Sequence, residues 1–377
     1  MASSALAQPQ HLGVLQVEPT DHCNLACRMC APHFEGWAEV HGVPKGFLDP
    51  ALWDRVLAGL VDDDLRFDHL IFQWLGDPSL HPALHRLVGA AAAALAGRVG
   101  YLRVDTNGIL LDERRIDALL EALPAAGSGP PLLLVWTLDA HSPEVYQQVK
   151  GRDHLLRVRR HLRHLLRARR QADRAVNVQV QFVVQQGNDH EVGPFVDYWA
   201  DLFGCQGDPA RFHDELLLKR LSVAGGGPGQ AAADDRYERA LAAAGVEPGR
   251  RGALTIHTWA GRPWQVDDGH AAAPRGACPG LWLTPVIRHD GQLIMCCADL
   301  HSETALGSLS EARFSTLWQG AAATSRRLAH LAGRFEGPCA GCGGINWYAL
   351  PPGHDADTRA RAAALGLGAP TPPQERA

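Results

Sequence analysis

Three cysteines in one short stretch constrain this chain more than any other feature. Cys23, Cys27 and Cys30 have the spacing CxxxCxxC. They follow an apolar run, Leu12 to Glu18, that predicts a first strand. Three thiolates this close can hold three corners of a [4Fe–4S] cluster and leave the fourth iron open to another ligand. The alternative is a structural zinc site or a chance group of thiols, but zinc would need a fourth ligand at CxxC-type spacing and a loop-rich context.

The composition bounds the class of protein. The chain has 377 residues, enough for a large domain and a small one. Its 36 Lys and Arg against 41 Asp and Glu leave a net charge of −5, so we expect neither nucleic acid nor an anionic membrane as a partner. No apolar run approaches the roughly 18 residues of a membrane span, and the N-terminus lacks the features of a signal peptide, which predicts a cytoplasmic location. In that reducing compartment cysteines are more typical of ligands or catalytic thiols than of disulfides.

Strand-like and helix-like stretches alternate between about residues 12 and 221. The predicted strands are Leu12 to Glu18, His69 to Leu75, Tyr101 to Asp105, Leu132 to Asp139, Val176 to Val184 and Glu215 to Leu221. The predicted helices are Pro50 to Leu60, Pro82 to Ala96, Asp112 to Leu123, His154 to Arg170 and Asp189 to Phe203. Repeated βα units imply parallel strands with right-handed crossovers, and six of them predict an α/β fold with a partial (β/α)6 TIM-like barrel. Ligands of such barrels bind at the carboxyl ends of the strands, where the cysteine triplet lies.

A glycine-rich stretch after Leu221 predicts a domain boundary. A second cysteine-rich block and a tail rich in Ala, Pro and Arg follow. The tail is expected to be flexible. The predicted division is a barrel over 1–221, a linker and bridging segment over 222–277 with a short helix Asp235 to Ala244, a cysteine-rich module over 278–350 and the tail over 351–377.

The second block contains four cysteines that can form another metal site. An Asp290-Gly291 pair between two apolar runs predicts a β-hairpin that returns Cys296 towards Cys278. Cys339 and Cys342 form a compact CxxC pair further on. Four thiolates assembled in this way suit either zinc or a [4Fe–4S] cluster, and the spacing does not choose between them.

The cysteine triplet resembles the signature of the radical S-adenosylmethionine (SAM) superfamily. In that family SAM chelates the open iron through its amino and carboxylate groups, and one electron from the cluster cleaves SAM to a 5′-deoxyadenosyl radical. The resemblance continues at later strand ends, where Gly76-Asp77-Pro78 is similar to the family's Gly-Glu-Pro motif and Thr106-Asn107-Gly108 to its Thr-Asn-Gly turn. Thr137-Leu138-Asp139 occupies the place of a polar contact to the SAM carboxylate or ribose. The SAM contacts implied by the resemblance are Gly76, Asp77, Pro78, Asn107 and Asp139; read alone, they are ordinary turn and cap residues.

The second block is similar to the SPASM module of the same superfamily. Cys278 is followed by a Gly thirteen residues on, by Cys296 five residues later, by Asp299 and by the distant CxxC. No cysteine follows Cys342, whereas a full SPASM module continues with more, so the block resembles the shortened twitch module. The resemblance implies one auxiliary [4Fe–4S] cluster held by Cys278, Cys296, Cys339 and Cys342. It also implies an electron donor of the flavodoxin or ferredoxin type.

These features predict a radical SAM enzyme that abstracts a hydrogen atom from an unactivated C–H. The nearest chemistry is dehydrogenase-type oxidation of a sugar or an aminocyclitol in natural-product biosynthesis. The alternatives are a maturase that forms a cross-link or an epimer on a ribosomal peptide, and a sugar epimerase with a cysteine hydrogen donor. A non-catalytic iron–sulfur or zinc scaffold is a third reading. Candidate catalytic residues are Cys297, Cys205, His141, Lys219 and Arg220.

Overall fold

The computed structural model describes residues 11–30, 45–222, 227–259, 276–345 and 348–367. Its strands are β1 (His11–Val17), β2 (Arg66–Phe72), β3 (Val99–Thr106), β4 (Leu132–Thr137), β5 (Val176–Val184), β6 (Asp214–Arg220), β7 (Gly249–Arg251), β8 (Leu254–Trp259), β9 (Val286–Ile287), β10 (Gln292–Ile294) and β11 (Ala305–Ser308). All eleven belong to one sheet, in the order β11-β10-β9-β1-β2-β3-β4-β5-β6-β8-β7. Strands β1 to β6 pair in parallel with their sequence neighbours, as a partial (β/α)6 barrel requires.

The helices in the described part of the chain are α1 (Pro50–Asp62), α2 (Leu84–Ala94), α3 (Glu113–Ala122), α4 (Pro143–Lys150), α5 (Leu155–Gln171), α6 (Val192–Gln206), α7 (Gly227–Ala244), α8 (Gly280–Leu283), α9 (Phe314–Trp318), α10 (Ala321–Leu331) and α11 (His354–Ala364). Capping side chains fix the start of three of them. Asp49, Asp112 and Ser142 each accept a hydrogen bond from the first turn of the helix that follows. Single-turn 3₁₀ segments lie at Pro78–Leu80, Asp189–Glu191 and Gly337–Cys339.

The two faces of the barrel sheet differ in chemistry. Alternate strand residues such as Leu70, Val104 and Trp136 are fully buried in the hydrophobic core between sheet and helices. Because strand side chains alternate, the residues between them face the interior of the barrel. Many of these are polar, including Arg103 and Gln181. The inner face of the barrel is therefore rich in polar side chains near the ends of the strands.

The predicted six-stranded barrel is confirmed, and the helix and strand bounds agree to within a few residues. The strand predicted to run to Asp139 ends at Thr137, and the short helix α4 was not predicted. The segment predicted as a linker is corrected: it carries the long helix α7 and strands β7 and β8, of which β8 adds a further parallel strand beside β6. Likewise the tail predicted to be flexible contains helix α11, while residues 368–377 lie outside the described residues.

The predicted Asp290-Gly291 hairpin is present and continues the barrel sheet. Strand β9 pairs in parallel with β1, and β10 and β11 follow antiparallel. A buried ion pair reinforces this junction, since Glu18, directly after β1, accepts a hydrogen bond at 2.9 Å from the Nδ1 atom of His289 at the hairpin. The cysteine-rich module is thus bonded to the strand that leads into the cysteine triplet. No helix in the described residues is long and apolar enough to cross a membrane.

We expect a fold-stabilising role for the buried ion pair at the opposite end of the barrel. Arg169 of α5 donates two hydrogen bonds, at 2.7 and 2.6 Å, to Asp214 at the start of β6, and its side chain is 0% exposed. Arg169→Met leaves an uncompensated buried carboxylate and should lower the free energy of unfolding by about 3–5 kcal/mol, measured by chemical denaturation. The matched control, Arg167→Met on the exposed face of the same helix, should change it by less than about 0.5 kcal/mol. Equal effects of the two substitutions would contradict this role.

Candidate active site

The cysteine triplet lies in the loop that follows β1, with all three side chains half-buried. Burial raises the pKa of the Cys23 thiol to about 11 and that of the Cys30 thiol to about 12, and it also raises the pKa of Cys27. The charges that Cys23 and Cys27 would carry as thiolates contribute to the increase for Cys30. Three mutually repelling, desolvated thiols become thiolates only with a cation between them. The donor set therefore fits a thiolate-bound iron–sulfur cluster.

The loop after β2 packs against the cysteine loop. The backbone N–H of Asp77 donates to the carbonyl of His22 at 2.8 Å. A Cβ on Gly76 would lie 2.3 Å from the carbonyl oxygen of Thr20, so this approach of two backbones requires glycine. The Gly76-Asp77-Pro78 segment thus sits directly beside the cysteine triplet, where the resemblance implies the SAM amino group.

The carboxylate of Asp77 organises the neighbouring strand ends. It accepts hydrogen bonds from the Thr106 hydroxyl at 2.9 Å, from the Asn107 backbone N–H at 2.6 Å and from the Ser79 backbone N–H at 2.9 Å. Asn107 in turn donates through Nδ2 to Asn24 Oδ1 at 2.7 Å, inside the cysteine loop. The β2 and β3 turns are thereby fixed to the loop that would carry the cluster. The SAM contacts of Gly76, Asp77, Pro78 and Asn107 remain predictions.

Asp139 has a different role from the predicted SAM contact. It is 1% exposed and adopts a left-handed backbone with φ 58°. Its Oδ1 accepts the backbone N–H of Val183 at 2.7 Å, and its Oδ2 forms an ion pair with Lys150 at 2.5 Å. Because both oxygens are committed inside the protein, we assign Asp139 a supporting role. Thr137, half-buried and two residues earlier on β4, is the side chain left facing the barrel interior at this level.

Four cysteines of the second block line one cavity, as predicted. The cavity has about 380 Å³ of empty volume, part of it open to solvent, and its walls include Cys278, Cys296, Cys339 and Cys342. Backbone N–H groups of Ala298, Gly344 and Ile345 point at the sulfurs of Cys296, Cys342 and Cys278 over 3.3 to 3.4 Å. Hydrogen bonds of this kind stabilise thiolate ligands and tune the potential of a cluster.

The thiols of the second block act on one another. Among the described residues, no group of three or more His, Cys, Asp or Glu side chains is close enough to hold a single metal ion. The four cysteines nevertheless surround a common space and influence one another, since Cys296, Cys342 and Cys278 contribute to the raised pKa of Cys339 after burial. A tetrahedral zinc needs its sulfurs at about 2.3 Å from one centre. Four thiolates around a common space suit either a zinc ion or a [4Fe–4S] cluster.

The barrel interior near these loops is lined by charged and amide side chains. Arg103 and Asp105 of β3 form a bidentate pair with both contacts at 2.6 Å. Lys219 of β6 is influenced by both of them, and burial lowers its pKa to about 8. Gln181 of β5 is 7% exposed, and its Oε1 has no partner among the described residues. A buried amide oxygen without a partner is costly, so this oxygen is available to accept a hydrogen bond from a ligand or a water molecule.

The comparisons with known proteins agree with this geometry. The Radical SAM superfamily model matches residues 17–198, and the model of an iron–sulfur cluster-binding domain, SPASM, matches residues 278–343. This chain is a radical SAM protein. Its cofactors are accordingly SAM and [4Fe–4S] clusters. No curated protein matched the sequence.

Two solved structures are similar to this radical SAM protein. Native anSMEcpe with bound AdoMet has a TM-score of 0.52 at 14% identity, over 94% of this chain and 96% of that one. BtrN in complex with AdoMet and 2-DOIA has a TM-score of 0.48 at 17% identity, over 90% of this chain and 95% of that one. At such identities the first likeness shows the fold alone, and it supports a partial TIM-like barrel with a SPASM domain.

The structure separates the candidate catalytic residues. Lys219 faces the barrel interior, and the main chain of Cys297 accepts a hydrogen bond from the Trp74 indole at 3.0 Å, near the β2 end. Cys205 is exposed near the end of α6, away from the carboxyl ends of the strands, and is therefore not a candidate catalytic residue. Arg220 points outward to an ion pair with Asp234 at 3.0 Å. The main-chain carbonyl of His141 accepts from Arg159 of α5 at 2.7 Å and its ring packs against Tyr198, outside the barrel interior.

Sequence reasoning missed several residues of the site. Lys150 was overlooked because a lysine at a helix end is usually exposed. Arg103, Gln179 and Gln181 were overlooked although they alternate with apolar residues in β3 and β5, the pattern that places them together on the inner face. That alternation was the available signal.

The two cysteine sets should load independently. We expect about eight irons per chain after anaerobic reconstitution, from two four-iron clusters. Replacing Cys23, Cys27 and Cys30 together by Ala should remove about half of the iron and all SAM cleavage, measured by iron analysis and chromatography of 5′-deoxyadenosine. Zinc instead of iron in that variant would contradict an auxiliary cluster.

Gly76 should be intolerant of any side chain. Gly76→Ala places a Cβ against backbone oxygens of the cysteine loop, so iron binding at the first site should fall severalfold while the auxiliary site stays loaded. The control is Gly59→Ala in α1, where nothing lies within 4 Å of the new Cβ. It should stabilise the protein by up to about 1 kcal/mol. Unchanged loading of both sites in Gly76→Ala would show that the close approach does not matter.

Proposed function

We propose that this radical SAM protein dehydrogenates a small polar substrate such as a sugar or an aminocyclitol at an unactivated C–H. The observation that carries the proposal is the complete four-cysteine cavity, attached through β9 to the strand that enters the SAM site. When bound, SAM and its cluster supply a radical that removes a hydrogen atom, and the auxiliary cluster supplies an acceptor for the remaining electron. A flavodoxin- or ferredoxin-type donor for the first reduction belongs to the same proposal.

The barrel interior supports a small substrate rich in hydroxyl or amino groups. Its donors and acceptors come from three strands: the Arg103–Asp105 pair, Gln181 and Lys219. Gln179 and Glu215 add a further hydrogen bond of 2.6 Å between β5 and β6. Side chains on rigid strands orient a polar ligand more accurately than loops do. These residues would bind the substrate, exclude water and fix which carbon is presented for reaction.

Lys219 is the proton acceptor in this proposal. Oxidation of an alcohol releases a proton from the hydroxyl group, and a neutral amine in the barrel interior can take it. Burial and the charge of Arg103 lower the pKa of Lys219 to about 8, against the opposing charges of Asp105 and Asp139. An appreciable fraction of the lysine is therefore neutral near physiological pH, as a general base requires.

Epimerisation would need a thiol that returns a hydrogen atom to the substrate. Cys205 is exposed outside the barrel, which leaves Cys297 as the thiol near the strand ends. Its neighbour Cys296 is a proposed cluster ligand, and Cys297 has a ready explanation as a half-buried packing residue beside it. These positions support oxidation.

The mass of the product tests the proposal. Incubation with reductant, SAM and candidate aminocyclitols should give a product two mass units lighter than the substrate, followed by mass spectrometry. Cys205→Ala and Cys297→Ala should each retain turnover. A product in heavy water that gains one deuterium at unchanged oxidation level, with turnover lost in Cys297→Ala, would instead establish an epimerase.

The pH dependence tests Lys219. Because the neutral amine is the base, product formed per SAM cleaved should rise as pH increases from about 7 to about 9. Lys219→Arg stays protonated over this range and should give little product at any pH, while still cleaving SAM. A pH profile of Lys219→Arg that matches the unmodified protein would remove the lysine from the mechanism.

A further inference from the structure

Lys150 is a buried cation at the end of α4, which is in contact with the cysteine loop. It is the last residue of α4 and is 2% exposed. Its ammonium group forms an ion pair with Asp139 at 2.5 Å. Burying a lysine is costly unless negative groups surround it. One carboxylate engages one of its three N–H donors, so the remaining donors call for a further anionic or accepting group.

The end of α4 is in contact with the cysteine loop. The residue that caps the helix is Gly151, whose backbone has a left-handed φ of 83°. The backbone N–H of Arg28 reaches the carbonyl of Val149 over 3.4 Å, and the carbonyl of Ala26 lies 3.4 Å from the position of a Cβ on Gly151. Lys150 is therefore flanked by two residues that touch the segment between Cys23 and Cys30.

The charge of Lys150 acts on all three thiols. Burial raises their pKa values, and Lys150 opposes this effect at Cys23, Cys27 and Cys30. At Cys27 it is the largest electrostatic influence after burial. Asp139, Cys27 and Tyr146 in turn favour the charged form of the lysine. A cluster bound to these thiolates would lie in the same field.

A second buried group points to the same place. Tyr146, one turn before Lys150 on α4, is 0% exposed, and its hydroxyl has no partner among the described residues. Lys150, Cys27 and Asp139 all influence its pKa, which burial raises. An unmet buried donor costs about 1–3 kcal/mol, so its presence indicates an acceptor that the polypeptide itself does not provide.

We propose that Lys150, held in place by Asp139, is the charge partner of the SAM-binding cluster and raises its reduction potential. The reason is electrostatic: reduction adds an electron to an anionic cluster, and a fixed positive charge in a low-dielectric region stabilises the reduced form. Asp139 is fixed by Val183 and by Asn188, whose Nδ2 donates to the Asp139 carbonyl at 2.8 Å. Lys150 is a positioning residue that acts on the cluster and not on the substrate. The inference therefore does not depend on the proposed dehydrogenation.

Two substitutions of opposite sign test the proposal in the reconstituted protein. Lys150→Met removes the cation. At a fixed applied potential it should decrease the ratio of reduced to oxidised SAM-binding cluster by about tenfold, which is a decrease of about 59 mV in the reduction potential for one electron. Asp139→Asn keeps an oxygen for Val183 but removes the negative charge, so the ratio should increase. Lys150→Arg keeps the charge and should stay near the unmodified protein. The measurement is potentiometric titration followed by electron paramagnetic resonance without substrate.

The auxiliary cluster in the same chain is the internal control, and its potential should not change in any of the variants. Arg169→Met controls for opening a buried ion pair elsewhere and should move neither potential. If Lys150→Met binds too little iron to titrate, Asp139→Asn decides the sign, and a potential of Lys150→Arg far from that of the unmodified protein would contradict the role of the charge. Shifts of the same direction in Lys150→Met and Asp139→Asn would overturn the proposal. So would an unchanged potential in Lys150→Met combined with loss of the spectral change that SAM addition causes, which would make Lys150 a ligand of SAM.

Discussion

Backbone pairing on both edges of β1 is the constraint on which the rest of the structure depends. Along one edge β1 pairs with β2, and along the other with β9 of the cysteine-rich module. The strand then leads directly into the loop of Cys23, Cys27 and Cys30. One seven-residue strand therefore positions the SAM loop relative to both the barrel and the auxiliary cavity. The buried contact of Glu18 with His289 closes the junction just beyond the strand.

The pKa of His289 at this junction depends on its burial and on its contact with Glu18. The pKa of His289 is raised because its hydrogen bond and charge interaction with Glu18 outweigh the opposing effect of desolvation. The stabilisation from this pair is present below the unfolded pKa of histidine and is lost as pH rises through the folded value. Asp139 and Lys150 form a second buried pair. Each buried charge is tolerated because the opposite charge is close.

Sequence reasoning predicted the parts of this molecule that local pattern determines. The βα alternation, the Asp290-Gly291 hairpin and the two cysteine sets each follow from periodicity, turn chemistry or ligand spacing. It failed where tertiary contacts decide. Nothing local to Lys150 indicates that it is buried, since this depends on Asp139 eleven residues earlier and on the cysteine loop. Strand β8 was missed because its neighbours are polar and glycine-containing, and pairing with β6 establishes it.

The backbone bonds across β1 and β9 have a consequence for the range of substrates. Trp74 adds a contact across the same junction, from the end of β2 to the main chain of Cys297. In an enzyme whose two halves are hinged, a larger substrate is accommodated by opening the cleft. Here the two cysteine sites are joined by a common sheet, so the space between them is fixed by strand geometry. New specificity would then arise by exchanging inward-facing side chains such as those of Arg103 and Gln181, residue by residue, while the separation of the two redox sites stays constant.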